Sequence, residues 1–393
     1  MSTPPINKIN LVLKLQPGAK LHNGKQFITP GNIAIAEDGT IKEISPNIVL
    51  SPDIQIIEIP EDGIVCPGLV DGHAHVAPDS FWGEGLTLEH DFLMQGTVLT
   101  IDAGSDGPNT IESDFRDKVI NKQDLPNYAL AYINIAPDGL KDEKAENYNI
   151  DKHDARKTAE MALRYPWIVG IKIRLAWLQA KEGTWKAALR HAKEAATISQ
   201  KPLMIHIGHG PGILDILKEL EDFDQKIIIT HCFQGHHSGS IMRCKDDWKK
   251  MQDRGVYYDM GNGEGSYSHQ TAEEALNAGF NLWSISTDKH KKSKWEMAPS
   301  LPHCMSKVLL HGVVKVEDII KMSTYNPAFL IGQEDNHGSI EVGKQANITV
   351  LQHQKSDIPK FRFLDYQQAE RFNNEQFRSL FIVRNGNVTQ SII

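Results

Sequence analysis

Cysteine is scarce in this chain, with four in 393 residues, and Cys66, Cys232, Cys244 and Cys304 form no paired spacing. That excludes a disulfide framework and a Cys-based zinc knuckle, and Cys232, which follows a histidine of interest, reads as a packed thiol. No apolar run approaches the length that spans a bilayer, and residues 1–9 lack a basic stretch followed by an apolar core. The expectation is therefore a cytoplasmic protein without a membrane partner. A strong charge of one sign is missing too: the formal net charge is -8, with acidic and basic residues interspersed. This excludes a nucleic-acid footprint and a polybasic membrane patch, and it points to a small-molecule substrate, with homo-oligomerisation left open. Internal repeats and low-complexity stretches are absent.

What is present is length enough for one large barrel plus a smaller unit, or for two or three ordinary domains. Residues 8–65 read as short β segments broken by turn chemistry, including an Asp38-Gly39 turn between apolar runs. After Val65 the rhythm changes to apolar runs separated by longer helical stretches, the pattern of a parallel sheet wrapped by helices. Eight such runs are counted, at 69–75, 97–102, 128–135, 168–174, 203–207, 227–231, 256–259 and 282–288. Helical spacing appears at 154–164, 184–199, 212–220, 246–254 and 272–278. The fold class is thus α/β, a (β/α)8 TIM-type barrel over 67–337. Residues 338–351 and 381–388 return to short β segments, so 1–66 and 338–393 are expected to form one composite β-sandwich built from both termini.

The run Val65-Cys66-Pro67-Gly68-Leu69-Val70-Asp71-Gly72-His73-Ala74-His75 ends an apolar strand in two histidines. Alternate side chains of a strand share a face, so His73 and His75 point the same way and together can hold a divalent metal. On its own, a His-x-His also fits two histidines in a turn. In Val169-Gly170-Ile171-Lys172-Ile173-Arg174, positions 170, 172 and 174 share one face and the apolar residues share the other. Lys172 and Arg174 would then enter the barrel mouth, where an unpartnered ammonium is costly. Two answers stand at this point for Lys172. It pairs with an acidic neighbour or substrate, or its neutral amine reacts with carbon dioxide to give a carbamate whose two oxygens can bridge two metals. His206 and His231 close the next two apolar runs, and Asp288 closes the last. A lone Asp there could cap a helix, whereas beside a metal cluster it becomes a ligand and a proton acceptor.

In this order, these positions resemble the binuclear subtype of the amidohydrolase superfamily, which includes dihydroorotase and its deacetylase relatives. The resemblance covers nearly the whole chain, including the tail Gly338-Ser339-Ile340-Glu341-Val342-Gly343-Lys344-Gln345-Ala346-Asn347. Gly170-Ile171-Lys172-Ile173-Arg174, Thr230-His231-Cys232-Phe233 and Ser284-Ile285-Ser286-Thr287-Asp288 look like the dihydroorotase-like deacetylase branch, whose characterised members act on the acetyl ester of (R)-mandelate. The resemblance implies His73, His75, Lys172, His206, His231 and Asp288 as metal ligands. It implies two divalent ions, zinc by preference, and a carbamate on Lys172. His73 and His75, with Lys172 and Asp288, would hold the more buried ion, and His206 and His231 the other. Relatives usually carry histidine where this chain has Asn262, which places a change of specificity there if that position touches substrate.

The activity implied is hydrolysis of an acetyl ester or amide of a small carboxylate-bearing substrate by a metal-bridged hydroxide. Asp288 would be the catalytic acid–base and Arg174 the holder of the substrate carboxylate, unless Arg174 forms a structural ion pair. His209, His236 and His237 are loop histidines, either solvated or lining the pocket together with Asn262. The alternatives are a cyclic amidase such as dihydroorotase, a mononuclear deaminase on the same barrel, and a metal-free scaffold protein on the amidohydrolase fold.

Overall fold

The computed structural model describes residues 8–122, 129–141, 150–176, 184–235 and 237–391. Seven parallel strands follow one another in chain order around a curled sheet. They are β1 (Leu69–Ala74), β2 (Thr97–Ala103), β3 (Ala129–Asn134), β4 (Ile168–Arg174), β5 (Leu203–His206), β6 (Ile227–Thr230) and β7 (Val256–Asp259). The expected third run began at Tyr128, which lies outside the described residues.

The eighth run is not a regular strand. Single parallel bridges, Asp259 to Ser284 and Ala74 to Lys289, close the barrel between β7 and β1. Backbone bonds from Met260 to Ser284 (3.0 Å), from Asn262 to Ser286 (3.1 Å) and from Asp288 to His73 (2.7 Å) complete the seam. A left-handed backbone at Asp288 (φ 45°) turns the chain at the end of this run.

Period-two alternation sorts the barrel's side chains. Ile171 and Ile173, Leu203 and Ile205, and Ile227 and Ile229 pack outward into the main core beneath the helices. Leu130, Tyr132, Met204 and Ile228 point inward, where Leu330 and Ile331 join them in one apolar plug. Because Met204 and Ile228 face inward, His206 and Thr230, two residues on, face the mouth. Val169 departs from the expected alternation and joins the inner plug. The cause is a register shift between β3 and β4, where Ala131 faces Ile168 but Tyr132 faces Gly170. Side-chain oxygens cap the surrounding helices: Asp154 accepts from Lys157 N, Ser268 from Thr271 N and Ser300 from His303 N.

Both ends of the chain build the accessory sheets. A four-stranded sheet has the order Ile41–Ser45, Asn32–Ala36, Ile9–Leu15, Gln55–Ile59. In a six-stranded sheet, Ile348–Lys355 pairs antiparallel with both Gly63–Pro67 and Glu375–Arg384. Leu11, Leu13, Ile33 and Ile35 from one sheet pack with Val65, Ile348, Val350 and Val383 from the other as a separate apolar core. Among the described residues no helix is long and apolar enough to cross a membrane.

Candidate metal centre

His73 near the end of β1 and His75 just beyond it converge on Asp288, as their shared strand face requires. Nε2 of His73 lies 3.4 Å from Asp288 Oδ1 and Nε2 of His75 lies 3.3 Å from the same oxygen. The three ligand atoms lie within 4.8 Å of one another, and all three residues are buried. Lys172 Nζ approaches to 3.4 Å from His73 Nε2 and 3.6 Å from Met204 Sδ. On the other side, His231 Nε2 and His206 Nδ1 are 2.9 Å apart, and the His231 ring centroid is 4.9 Å from that of His73. The structure therefore brings together all six residues expected as ligands.

Backbone conformation makes this possible at two points. His231 follows the inward-facing Thr230 and would turn outward on a continuing strand, but a left-handed backbone (φ 69°) ends the alternation there. Like Asp288, it is a non-glycine residue in a costly conformation, which is common where function holds the geometry. Gly104 (φ 82°) lies so close to Lys172 that a Cβ would sit 2.6 Å from the lysine Cβ. Gly263 (φ 52°) would place a Cβ 2.4 Å from Asp288 Oδ2. Both glycines leave room for a site side chain that any larger residue would displace.

The donor set fits a divalent cation. Burial, with Lys172 adding to it, lowers the His73 pKa, and burial lowers that of His231 to about 3. Burial followed by the neighbouring His231 holds His206 well below its ordinary value. Neutral imidazoles are the form that ligates a metal. Burial alone would raise the Asp288 carboxyl, but His73, His75, His231 and His290 outweigh it and hold the group well below the usual carboxylate range. Three of these histidines, His73, His75 and His231, also have the Nδ1 nitrogen engaged. His73 Nδ1 meets Thr230 Oγ1 at 2.8 Å, His75 Nδ1 meets Ser105 Oγ at 2.8 Å, and His231 Nδ1 meets the Gly261 carbonyl at 2.8 Å. Partners of this kind behind metal-binding histidines orient the rings.

Other expected residues distribute differently. Arg174 ends β4 in register with His206, and its charge is one of the influences that lower the His206 pKa. Asn262 is fully buried and is not brought to the cluster. Its amide nitrogen donates to the carbonyls of Gly263 (3.0 Å) and Met297 (2.8 Å), while its oxygen accepts from Lys307 Nζ at 2.9 Å. The rings of His209 and His237 pack at 4.8 Å in a tilted arrangement, with His237 bonded to Gln234, and His236 lies outside the described residues.

Sequence reasoning passed over Ser105, Thr230, Asp102 and Asp259, the partners behind the histidines. It also missed His290, whose ring packs 4.8 Å from Trp82 and 6.5 Å from His75. The available signal was a polar residue closing a buried strand, as Asp259 closes β7 and Asp102 nearly closes β2.

The amidohydrolase family model matches residues 64–388 of this chain. The chain belongs to the amidohydrolase family. This amidohydrolase is 28% identical over 344 residues to a deacetylase of Brucella anthropi, a match covering 83% of this chain and 80% of the relative. A deacetylase of Agrobacterium fabrum is 29% identical, with 83% of this chain and 79% of the relative covered. Among solved structures, a dihydroorotase superposes with a TM-score of 0.80 at 23% identity over 98% of both chains. An adenine deaminase superposes at 0.82 and 24% identity, covering 98% of this chain and 100% of the other. These two likenesses establish the fold of the amidohydrolase and carry nothing about its substrate.

Proposed function

We propose that this amidohydrolase is a metal-dependent deacetylase that cleaves an acetyl ester or amide of a small, carboxylate-bearing substrate. The observation that carries the reading is the convergence of His73, His75 and Asp288 beside Lys172, in a chain whose curated relatives are named deacetylases. His73, His75, His206, His231 and Asp288 would hold two divalent ions, zinc by preference. A carbamate on Lys172, formed when the neutral amine adds to carbon dioxide and releases a proton, would join the two. When bound, such ions acidify water and polarise a carbonyl.

The chain's own residues do the rest. Asp288, kept ionised by the surrounding imidazoles, accepts the proton of the attacking water and delivers it to the departing oxygen or nitrogen. Arg174, at the end of β4 beside His206, offers a planar two-pronged contact for the substrate carboxylate. Asn262 works through its backbone neighbours: with its amide tied to Lys307 and Met297, it holds the Gly261–Gly263 turn against His231 and Asp288.

The deciding experiment measures metal content and compares O- and N-acetylated α-substituted acids with dihydroorotate as substrates. Acetate release with about two ions per chain is expected. Turnover of dihydroorotate alone would replace this reading with a cyclic amidase, and metal-free protein inert to added zinc or manganese would leave only a scaffold.

A further inference from the structure

Behind each of the first two histidines stands a hydroxyl, and behind each hydroxyl a carboxylate. Thr230 Oγ1 lies 2.8 Å from His73 Nδ1 and 2.7 Å from Asp259 Oδ2. Ser105 Oγ lies 2.8 Å from His75 Nδ1 and 2.8 Å from Asp102 Oδ2. The four supporting residues come from β2, the turn after it, β6 and β7, and all are at most 1% exposed. Each hydroxyl is flanked by groups whose donor or acceptor roles can be assigned, so the directions of these bonds follow from counting protons.

The Asp102 side is the simpler case. Its carboxylate accepts from three backbone amides, Val76 (2.8 Å), Ala77 (3.2 Å) and Ser105 (2.7 Å). Amides only donate, so Asp102 acts as an acceptor and the Ser105 hydroxyl gives its single proton to it. The lone pair left on Ser105 Oγ can face only an N–H, which places a proton on His75 Nδ1. Asp259 repeats the logic with hydroxyls: Ser284 donates to Oδ1 (2.7 Å), and Ser286 (2.7 Å) and Thr230 donate to Oδ2. Ser286 Oγ already accepts the Gly261 amide at 3.0 Å, so its own proton goes to Asp259. Reversing the chain would need a protonated Asp259 ringed by three hydroxyls, and would put the His73 proton on Nε2, the atom facing Asp288.

We infer that Thr230–Asp259 and Ser105–Asp102 are two positioning relays that commit His73 and His75 to the Nδ1–H tautomer, leaving each Nε2 bare toward Asp288. The inference rests on the metal-site reading for its purpose, but the tautomers belong to the protein alone. The Thr230 hydroxyl stands between Asp259 and His73, whose Nδ1 is 3.7 Å from Asp259 Oδ2. Thr230 also immediately precedes His231, and Asp259 carries, through Ser286, the Gly261 turn whose carbonyl holds His231. One buried carboxylate therefore sets the rings on both sides of the centre.

The test is long-range proton–nitrogen correlation on nitrogen-15-labelled, metal-free protein. His73 and His75 are expected as pure Nδ1–H tautomers, and an Nε2–H signal for either overturns the inference. Competition against a chelator supplies the second readout. Thr230→Val and Ser105→Ala are expected to weaken zinc retention by roughly 10- to 100-fold, with Thr230→Ser restoring it. Retention within about two-fold of the parent in both variants, at unchanged circular dichroism, overturns the relay. If a variant does not fold, the tautomers of the unaltered protein still decide. Correct tautomers in a protein that takes up no metal would uphold the relays and remove the metal reading instead.

Discussion

Lys307 Nζ and Asn262 Oδ1 meet at 2.9 Å in the protein interior, and both residues are fully buried. The same ammonium donates to the Met297 carbonyl at 2.9 Å and lies 4.7 Å from the centre of the Tyr267 ring. Burial draws the Lys307 pKa down to about 8, so at neutral pH the ion still exists and depends on these partners.

Removing one partner should therefore cost more than one hydrogen bond. Asn262→Ala is expected to destabilise the fold by about 2–4 kcal/mol, because it strands a buried ammonium. The Gly261–Gly263 turn should loosen with it, lowering kcat more than it raises KM. Urea unfolding and steady-state kinetics read the two effects; a rise in KM alone would instead make Asn262 a direct substrate contact.

Gly263→Ala and Gly104→Ala test the close approaches. Each adds a methyl at a left-handed backbone position and into a site side chain, at an expected cost of about 1–3 kcal/mol. The functional loss should be greater than the stability loss, since Asp288 or Lys172 must move. Parent-level metal retention and activity in both variants would mean that the neighbouring side chains shift freely.

Lys172→Ala should abolish hydrolysis, by more than about 100-fold, beyond what loss of an outer partner causes. Adding a short carboxylate together with metal should restore part of it. Full activity of this variant without additives would remove the bridging role.

Acid should weaken the metal-free fold through histidines far from the centre. Burial lowers His22, His269 and His337 from 6.5 to about 4. Nδ1 of His22 accepts the Gly24 amide at 3.0 Å, a bond that its protonation would break. Between pH 6.5 and 4 the unfolded chain binds more protons than the folded one, so stability is complete above pH 6.5 and declines as the pH falls through this window. Each group contributes on the order of 1–3 kcal/mol to that decline. Urea titrations in steps of pH check it, and a flat profile from 6.5 to 4.5 would contradict it.

The candidate ligand positions were legible because each lies at or near the end of an apolar run, and a period of two assigns a face to Lys172 and His206. His231 and Asp288 were found by position, although their left-handed backbones, which give them their direction, leave no mark in the sequence pattern. The relays were not legible, since Thr230 and Ser105 are ordinary small residues until folding brings Asp259 and Asp102 behind them. Asn262 shows the same limit from the other side: its partner Lys307 is 45 residues away, and no spacing rule links them. Val169 was assigned to the wrong face because a single register shift opposite Tyr132 resets the alternation.

The placement of Ile348–Lys355 between Gly63–Pro67 and Glu375–Arg384 also governs how the molecule is made. β1 begins two residues after Pro67, and Gly68 bonds to the Asn347 carbonyl at 2.7 Å. During synthesis the strand that leads into the barrel thus waits, one edge uncovered, until nearly 300 further residues have left the ribosome. A late segment thus fastens an early one, and a chain that stopped short of residue 348 would carry an open, adhesive edge at Gly63–Pro67.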